Sequence, residues 1–144
     1  MRTPELPFKP VAMHPTGSAF MCDPPVQNTD EDWLVLSDSP LTIHELEGLM
    51  KRDGWTRCVE TDAENYAGDV SYGDTWIALR KGHYNIMLTE CVGWYMRSCA
   101  ATMLCKAMNL QMKEHRKHLF RAIRDGAVFD AELVKPLGSR GVRP

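Results

Sequence analysis

A chain of 144 residues, 44% hydrophobic and 25% charged, is long enough to bury one core without disulfide or metal staples and has the make-up of an ordinary globular domain. Its formal net charge of -2 supplies no general basic surface, so any contact with nucleic acid has to be local. No stretch reaches the roughly 20 apolar residues of a membrane span and residues 1–10 lack the apolar core of a signal peptide, so no membrane partner is expected and the location is read as cytoplasmic.

In chain order, Pro4, Pro7, Pro10 and Pro15 each fix φ and remove a backbone donor, which argues against helix before residue 16 and leaves room for a short strand over Val11–His14. A Gly17-Ser18 turn follows. Pro24-Pro25 and Gln27-Asn28-Thr29 then mark a loop, and the apolar run Trp33–Leu36 predicts a strand over Asp32–Ser37 that is buried on both faces. Thr42 and Glu45 fit a capping box, and Ile43, Leu46, Leu49 and Met50 recur at helical spacing before Gly54 stops the helix.

Trp55–Glu60 reads as a strand and Asp62–Asp74 as a polar loop. Trp76–Arg80 and Tyr84–Thr89 read as two strands of a tight hairpin around Lys81-Gly82-His83, with Arg80, Lys81 and His83 clustered at its tip. After Glu90, the residues Val92, Tyr95, Met96, Cys99 and Met103 follow a helical period to about Met108, and Asn109-Leu110 breaks the helix. A last helix over Gln111–Arg124 carries Lys113, His115, Arg116, Lys117, His118, Arg121 and Arg124. The whole reads as one α+β domain over 1–144, with residues 1–10 and 127–144 as loose or extended termini. Cys22, Cys58, Cys91, Cys99 and Cys105 are odd in number and contain no Cys-x-x-Cys pair, so reduced, mostly buried thiols are expected rather than a disulfide framework or a zinc site.

Asp30 and Asp32 carry the chemistry. Side chains at i and i+2 of a strand point the same way, so these two carboxylates can grip one hard cation while Glu31 faces elsewhere. Taken alone, Asp-x-Asp before a strand is more often solvated turn chemistry than a metal site. Its context adds a Gly-Ser turn, with eleven residues between Ser18 and Asp30, and an apolar strand immediately after.

That combination resembles the signature of the DNA polymerase β-like nucleotidyltransferase superfamily, particularly its minimal members. The wording of Trp33–Leu36, Tyr84–Glu90 and Ala101–Leu110 looks closest to small nucleotidyltransferase-like proteins carried by bacteriophages, which would put the protein in a host cytoplasm. The resemblance implies a palm-like mixed sheet with helices packed on it. It further implies transfer of a nucleoside monophosphate from a nucleoside triphosphate to an acceptor, nucleic acid and protein both being open, with release of pyrophosphate. Gly17 and Ser18 would hold the triphosphate, and Asp30 and Asp32 would be the catalytic ligands of Mg2+ or Mn2+. Such sites have a third carboxylate on a later strand, and here Asn85 stands in that place, able to coordinate through its carbonyl but bringing no charge.

Glu90, Asp69 and Asp74 are the candidate replacements, each with a plain surface role as its alternative. Lys106 and His14 are candidate phosphate contacts; Lys106 could face the cleft or lie outside it, and His44 is expected on an exposed helix face. The basic run of the last helix is either a solvated face or a phosphate-contacting one. Beside a transferase, then, stand a nucleotide-binding or interaction protein on the same fold that does not catalyse, and a nucleic-acid-binding module that uses the last helix.

Overall fold

A computed structural model describes residues 2–25, 30–58 and 76–124. Strand β1, Ala12–Thr16, leads through Gly17 into the single-turn helix α1, Ser18–Met21. Strand β2, Glu31–Leu36, is followed by helix α2, Ile43–Arg52, and the short strand β3, Thr56–Arg57. Strands β4, Trp76–Lys81, and β5, Tyr84–Thr89, form a hairpin, after which come helices α3, Val92–Met108, and α4, Lys113–Ile123. The strands make one sheet of order β1-β2-β5-β4-β3, with β2 and β5 parallel and the other neighbours antiparallel. The expected α+β class, a mixed sheet with helices packed on it, is what is observed.

Alternation along the strands sends Trp33, Val35, Ile77, Leu79, Ile86 and Leu88 to one face, where Ile43, Leu46 and Met50 of α2 and Trp55 cover them. Leu34 and Leu36 point to the opposite face against Trp94 and Tyr95 of α3. A further cluster of Met21, Ala101, Cys105 and Phe120 ties α1, α3 and α4 together. Trp33–Leu36 is thus buried on both faces, as its apolarity predicts. Each such fully buried side chain stabilises the fold by about 1.5–3 kcal/mol.

The capping box of α2 is present. Thr42 Oγ1 accepts from the Glu45 amide and Glu45 Oε1 accepts from the Thr42 amide, both at 3.2 Å, and Gly54 follows the helix at φ 95°. Strand β1 runs to Thr16, two residues past its expected end; Pro15 is tolerated because β1 is an edge strand. Residues 2–10 carry no helix or strand, yet Leu6 and Phe8 are not loose, since they pack against the α2-side core. The expected strand end at residues 59–60, the Asp62–Asp74 loop and the tail 127–144 lie outside the described residues.

Helix α3 spans the expected residues, and its buried face is only partly the periodic set that marks it. Val92, Met96 and Met103 are 61%, 60% and 46% exposed, while Trp94, Tyr95, Ser98, Ala101, Thr102 and Cys105 are buried. Apolar residues occur all round this helix, so more than one stripe satisfies a 3.6-residue period. Small side chains decide which one faces inward: Ser98, Ala101 and Thr102 let the helix lie close to the sheet, and Thr102 Oγ1 meets Thr16 Oγ1 at 2.7 Å. All five cysteines are free, with Cys22 and Cys105 buried, and burial pushes the Cys105 thiol up to about 11. Among the described residues, no helix is long and apolar enough to cross a membrane.

Candidate functional site

The antiparallel pairing of β1 with β2 puts Thr16 opposite Asp32 and delivers Gly17 to the start of β2. Gly17 has φ 76° and ψ 173°, a combination that is essentially restricted to glycine. A β-carbon there would overlap Asp32 Oδ2 and lie 2.8 Å from Asp32 Cβ, so the missing side chain is what lets backbone and carboxylate meet. The amides of Phe20 and Met21 donate to the Gly17 carbonyl at 3.1 and 2.9 Å. Those of Ser18 and Ala19, the first of the turn, have no acceptor within it.

Across the sheet, Asp32 is in register with Asn85 on parallel β5, and Asn85 with Arg80 on antiparallel β4. The three side chains form a row. Asn85 Nδ2 donates to Asp32 Oδ1 at 3.0 Å, and Arg80 Nε donates to Asn85 Oδ1 at 2.6 Å. Arg80 Nη2 lies 3.6 Å from Asp30 Oδ2, so both aspartates meet the same network. Glu31 faces the other way, as strand alternation requires, with its Oε2 2.7 Å from His83 Nε2.

Burial pushes the Asp32 carboxyl up to about 6, with the Asp30 charge adding to the rise; the Asn85 hydrogen bond and the Arg80 charge oppose it. Gly17, Asp32, Asn85 and Arg80 border a cavity of about 70 Å³ that the apolar Trp76, Ala78 and Met87 also line. That volume suits a cation with a water or two, and a larger ligand would have to extend beyond it. Asp30 and Asp32 offer the hard oxygen donors that Mg2+ or Mn2+ prefers. Among the described residues, no group of three or more His, Cys, Asp or Glu side chains gathers as a metal site. The Asn85 carbonyl, expected to be a weak ligand, is turned to Arg80 instead.

Other sequence candidates fall elsewhere. Lys106 Nζ donates to the Phe20 carbonyl at 3.0 Å and sits 4.3 Å over the Phe20 ring, bracing α1 rather than bordering the cavity. His14 Nδ1 is 2.6 Å from the Pro15 carbonyl and packs edge-on to Phe20. Glu90 is exposed at the opposite end of β5, about 16 Å along the strand from Asn85, too far to replace a third acid. Asp69 and Asp74 lie outside the described residues. His44 is exposed, as expected.

The basic run of the last helix divides. Arg116 and Arg124 are 3% and 0% exposed, which removes them from any outward charged face, while Lys113, His115, His118 and Arg121 are exposed. Arg116 Nη1 donates to the carbonyls of Leu110 and Gln111 at 2.9 and 2.8 Å and to Cys22 Sγ at 3.3 Å, a structural role.

Arg80 is the site residue that sequence reasoning missed. It was placed at the hairpin tip with Lys81 and His83, but each of the three finds a different partner. Lys81 Nζ donates to the Asp53 carbonyl at 2.6 Å, His83 meets Glu31, and Arg80 joins Asn85. The signal was in the turn, because a two-residue Gly82-His83 loop puts Arg80 opposite Asn85.

Comparison with family models, with curated proteins and with solved structures finds no match for this chain.

Proposed function

We propose that the protein is a nucleotidyltransferase of the polymerase β-like type, with a palm-like sheet, that transfers a nucleoside monophosphate from a nucleoside triphosphate to an acceptor. The observation that carries this reading is the close contact between Gly17 and Asp32. It brings a backbone turn suited to phosphate oxygens against a carboxylate suited to a cation, and a metal-bound triphosphate needs both at once. In the transfer, an acceptor oxygen forms a bond to the α-phosphorus, a hydroxyl acceptor giving up its proton to solvent, the bond from that phosphorus to the oxygen bridging to the β-phosphate breaks, and pyrophosphate leaves. Mg2+ or Mn2+, when bound, neutralises charge that develops on the phosphate oxygens.

The chain's own contribution is positioning. Asp30 and Asp32 would hold the ion, the Ser18 and Ala19 amides would be offered to phosphate oxygens, and Asn85 keeps the Asp32 carboxylate oriented through its 3.0 Å hydrogen bond. The test is release of pyrophosphate from nucleoside triphosphates in the presence of Mg2+. Expected is release that is lost in the pair Asp30→Asn with Asp32→Asn, together with metal-dependent nucleotide binding. Nucleotide binding that survives the double substitution unchanged would sink the assignment.

One observation favours a second reading, nucleotide binding without transfer. The residue in register with Asp32 is the neutral Asn85, which takes up no proton from an acceptor hydroxyl. Metal-dependent binding with no pyrophosphate release is the outcome that selects it.

A further inference from the structure

We infer that this site, read as the nucleotide site proposed above, takes one divalent cation, and that the Arg80 guanidinium supplies the second positive charge to the ligand's phosphates. The donor set is the first ground. Two ions held side by side need carboxylates to bridge them. Asp32 Oδ1 already accepts from Asn85 Nδ2 at 3.0 Å, and the Asn85 carbonyl accepts from Arg80 at 2.6 Å. Where a third anionic ligand would stand there is a neutral amide, locked on one side by a hydrogen bond to a cation.

Charge is the second ground. Three carboxylates holding two divalent ions leave a net single positive charge at such a site. Asp30, Asp32 and Arg80 with one divalent ion leave the same, whereas a second ion beside Arg80 would add two more positive charges in one small space. Arginine keeps its charge at every accessible pH, so its cation is built in rather than recruited.

Geometry is the third. Arg80 is anchored through Nε, and its five N–H donors exceed what Asn85 uses. Its side chain is 44% exposed, and its approach to Asp30 at 3.6 Å is a loose ion pair rather than a hydrogen bond. An incoming phosphate can therefore take the outward N–H groups without displacing the anchor, in the bidentate manner that suits guanidinium and phosphate. Arg80 and Gly17 border the same cavity, so the guanidinium and the start of the Gly-Ser turn stand at one site.

The experiment counts protein-bound Mn2+ by electron paramagnetic resonance, with and without the non-hydrolysable α,β-methylene analogue of ATP, on the full chain and two variants. The wild type is expected to bind one Mn2+ per chain with the analogue saturating. Arg80→Gln is expected to weaken the analogue by about tenfold or more, yet to tighten Mn2+ alone by about two- to fivefold, because a charge that competes with the metal for Asp30 is gone. Arg80→Lys, which keeps the charge but loses the fork and the Nε anchor, should leave Mn2+ alone within about threefold of wild type and weaken the analogue less than Arg80→Gln does. Opposite signs in one variant are what a merely structural arginine would not produce. Two Mn2+ per chain in the wild type overturns the one-ion site, and an Arg80→Gln variant that moves both affinities the same way or neither overturns the role of Arg80, each leaving the nucleotide reading in place. A wild type that binds Mn2+ but not the analogue overturns the nucleotide reading itself.

Discussion

Gly17 and Asp32 sit in contact across the β1–β2 pair, the glycine α-carbon filling the space beside the carboxylate where any side chain would collide. Two independent constraints meet there: a backbone conformation that other residues avoid, and a carboxylate whose position leaves no room.

Gly17→Ala should therefore cost more than strain alone. The backbone penalty is about 1–3 kcal/mol, and the overlap with Asp32 adds to it by displacing the carboxylate. Gly54→Ala is the control, since Gly54 also has positive φ but its β-carbon would meet only the flexible Lys81 side chain at 3.4 Å. Urea unfolding should show a loss of about 1 kcal/mol at Gly54 and a larger one at Gly17, and only Gly17→Ala should lose Mn2+ binding. Equal losses with metal binding intact would remove Gly17 from the site.

Asp32 makes stability depend on pH in an unusual direction. Its carboxyl titrates near 6 in the folded chain against an ordinary 3.8, so the folded state takes up the proton first as pH falls. Stability from this group is greatest below about pH 4 and is lost as pH rises through about 6, by up to about 3 kcal/mol. Asp32→Asn removes that penalty while its amide oxygen still accepts from Asn85. The variant should exceed wild type by about 1–3 kcal/mol at pH 7.5 and show no advantage at pH 4. Denaturant titrations across pH 4–8 without divalent ions measure both, and a variant less stable than wild type at pH 7.5 contradicts the cause given for the shift.

Local chemistry was legible in the sequence, while the long-range geometry was not. The Thr42–Glu45 capping box needs only residues three apart, and the opposite orientations of Asp30/Asp32 and Glu31 follow from strand alternation, so both were read correctly. Arg80 escaped because a three-residue hairpin loop was read where a two-residue one exists. Gly82, at φ 60°, starts a Gly82-His83 turn that pairs Lys81 with Tyr84, and one residue of register moves Arg80 opposite Asn85. The extent of α3 was legible but its buried face was not, because Val92, Met96 and Met103 make as good a stripe as Trp94, Ala101 and Cys105. The choice between them is made by the sheet and α4, which no local window contains. The neighbouring of Asp32 and Asn85 depends on parallel pairing of strands more than fifty residues apart, and was reachable only through the family resemblance.

Helix α2 gives a test of the fold away from the site. Thr42→Ala removes the side-chain acceptor for the Glu45 amide and one half of a reciprocal pair, and should cost about 1 kcal/mol. Glu45→Ala should cost less, because the exposed Thr42 amide it leaves can bond to water. The double variant should lose less than the sum of the two singles, since the halves hold each other in place; a shift in urea midpoint that is fully additive would show the box is not coupled.

Arg116 separates structural from surface charge on the last helix. It is 3% exposed and donates to two backbone carbonyls and the Cys22 sulfur, so Arg116→Met strands those acceptors in the interior and should destabilise the fold by about 3 kcal/mol. Lys113→Gln and Arg121→Gln, both at exposed positions, should stay within about 0.5 kcal/mol of wild type. The same variants address whether the helix contacts nucleic acid. If it does, the exposed pair together should weaken oligonucleotide binding and reduce the slope of log K against log salt by about 1.4, with Arg116→Met acting only through folding. Fluorescence anisotropy with a labelled single strand across a salt series, beside thermal melts of each variant, distinguishes the two. An Arg116→Met chain that melts with wild type yet loses oligonucleotide would place Arg116 on the binding face and contradict its burial.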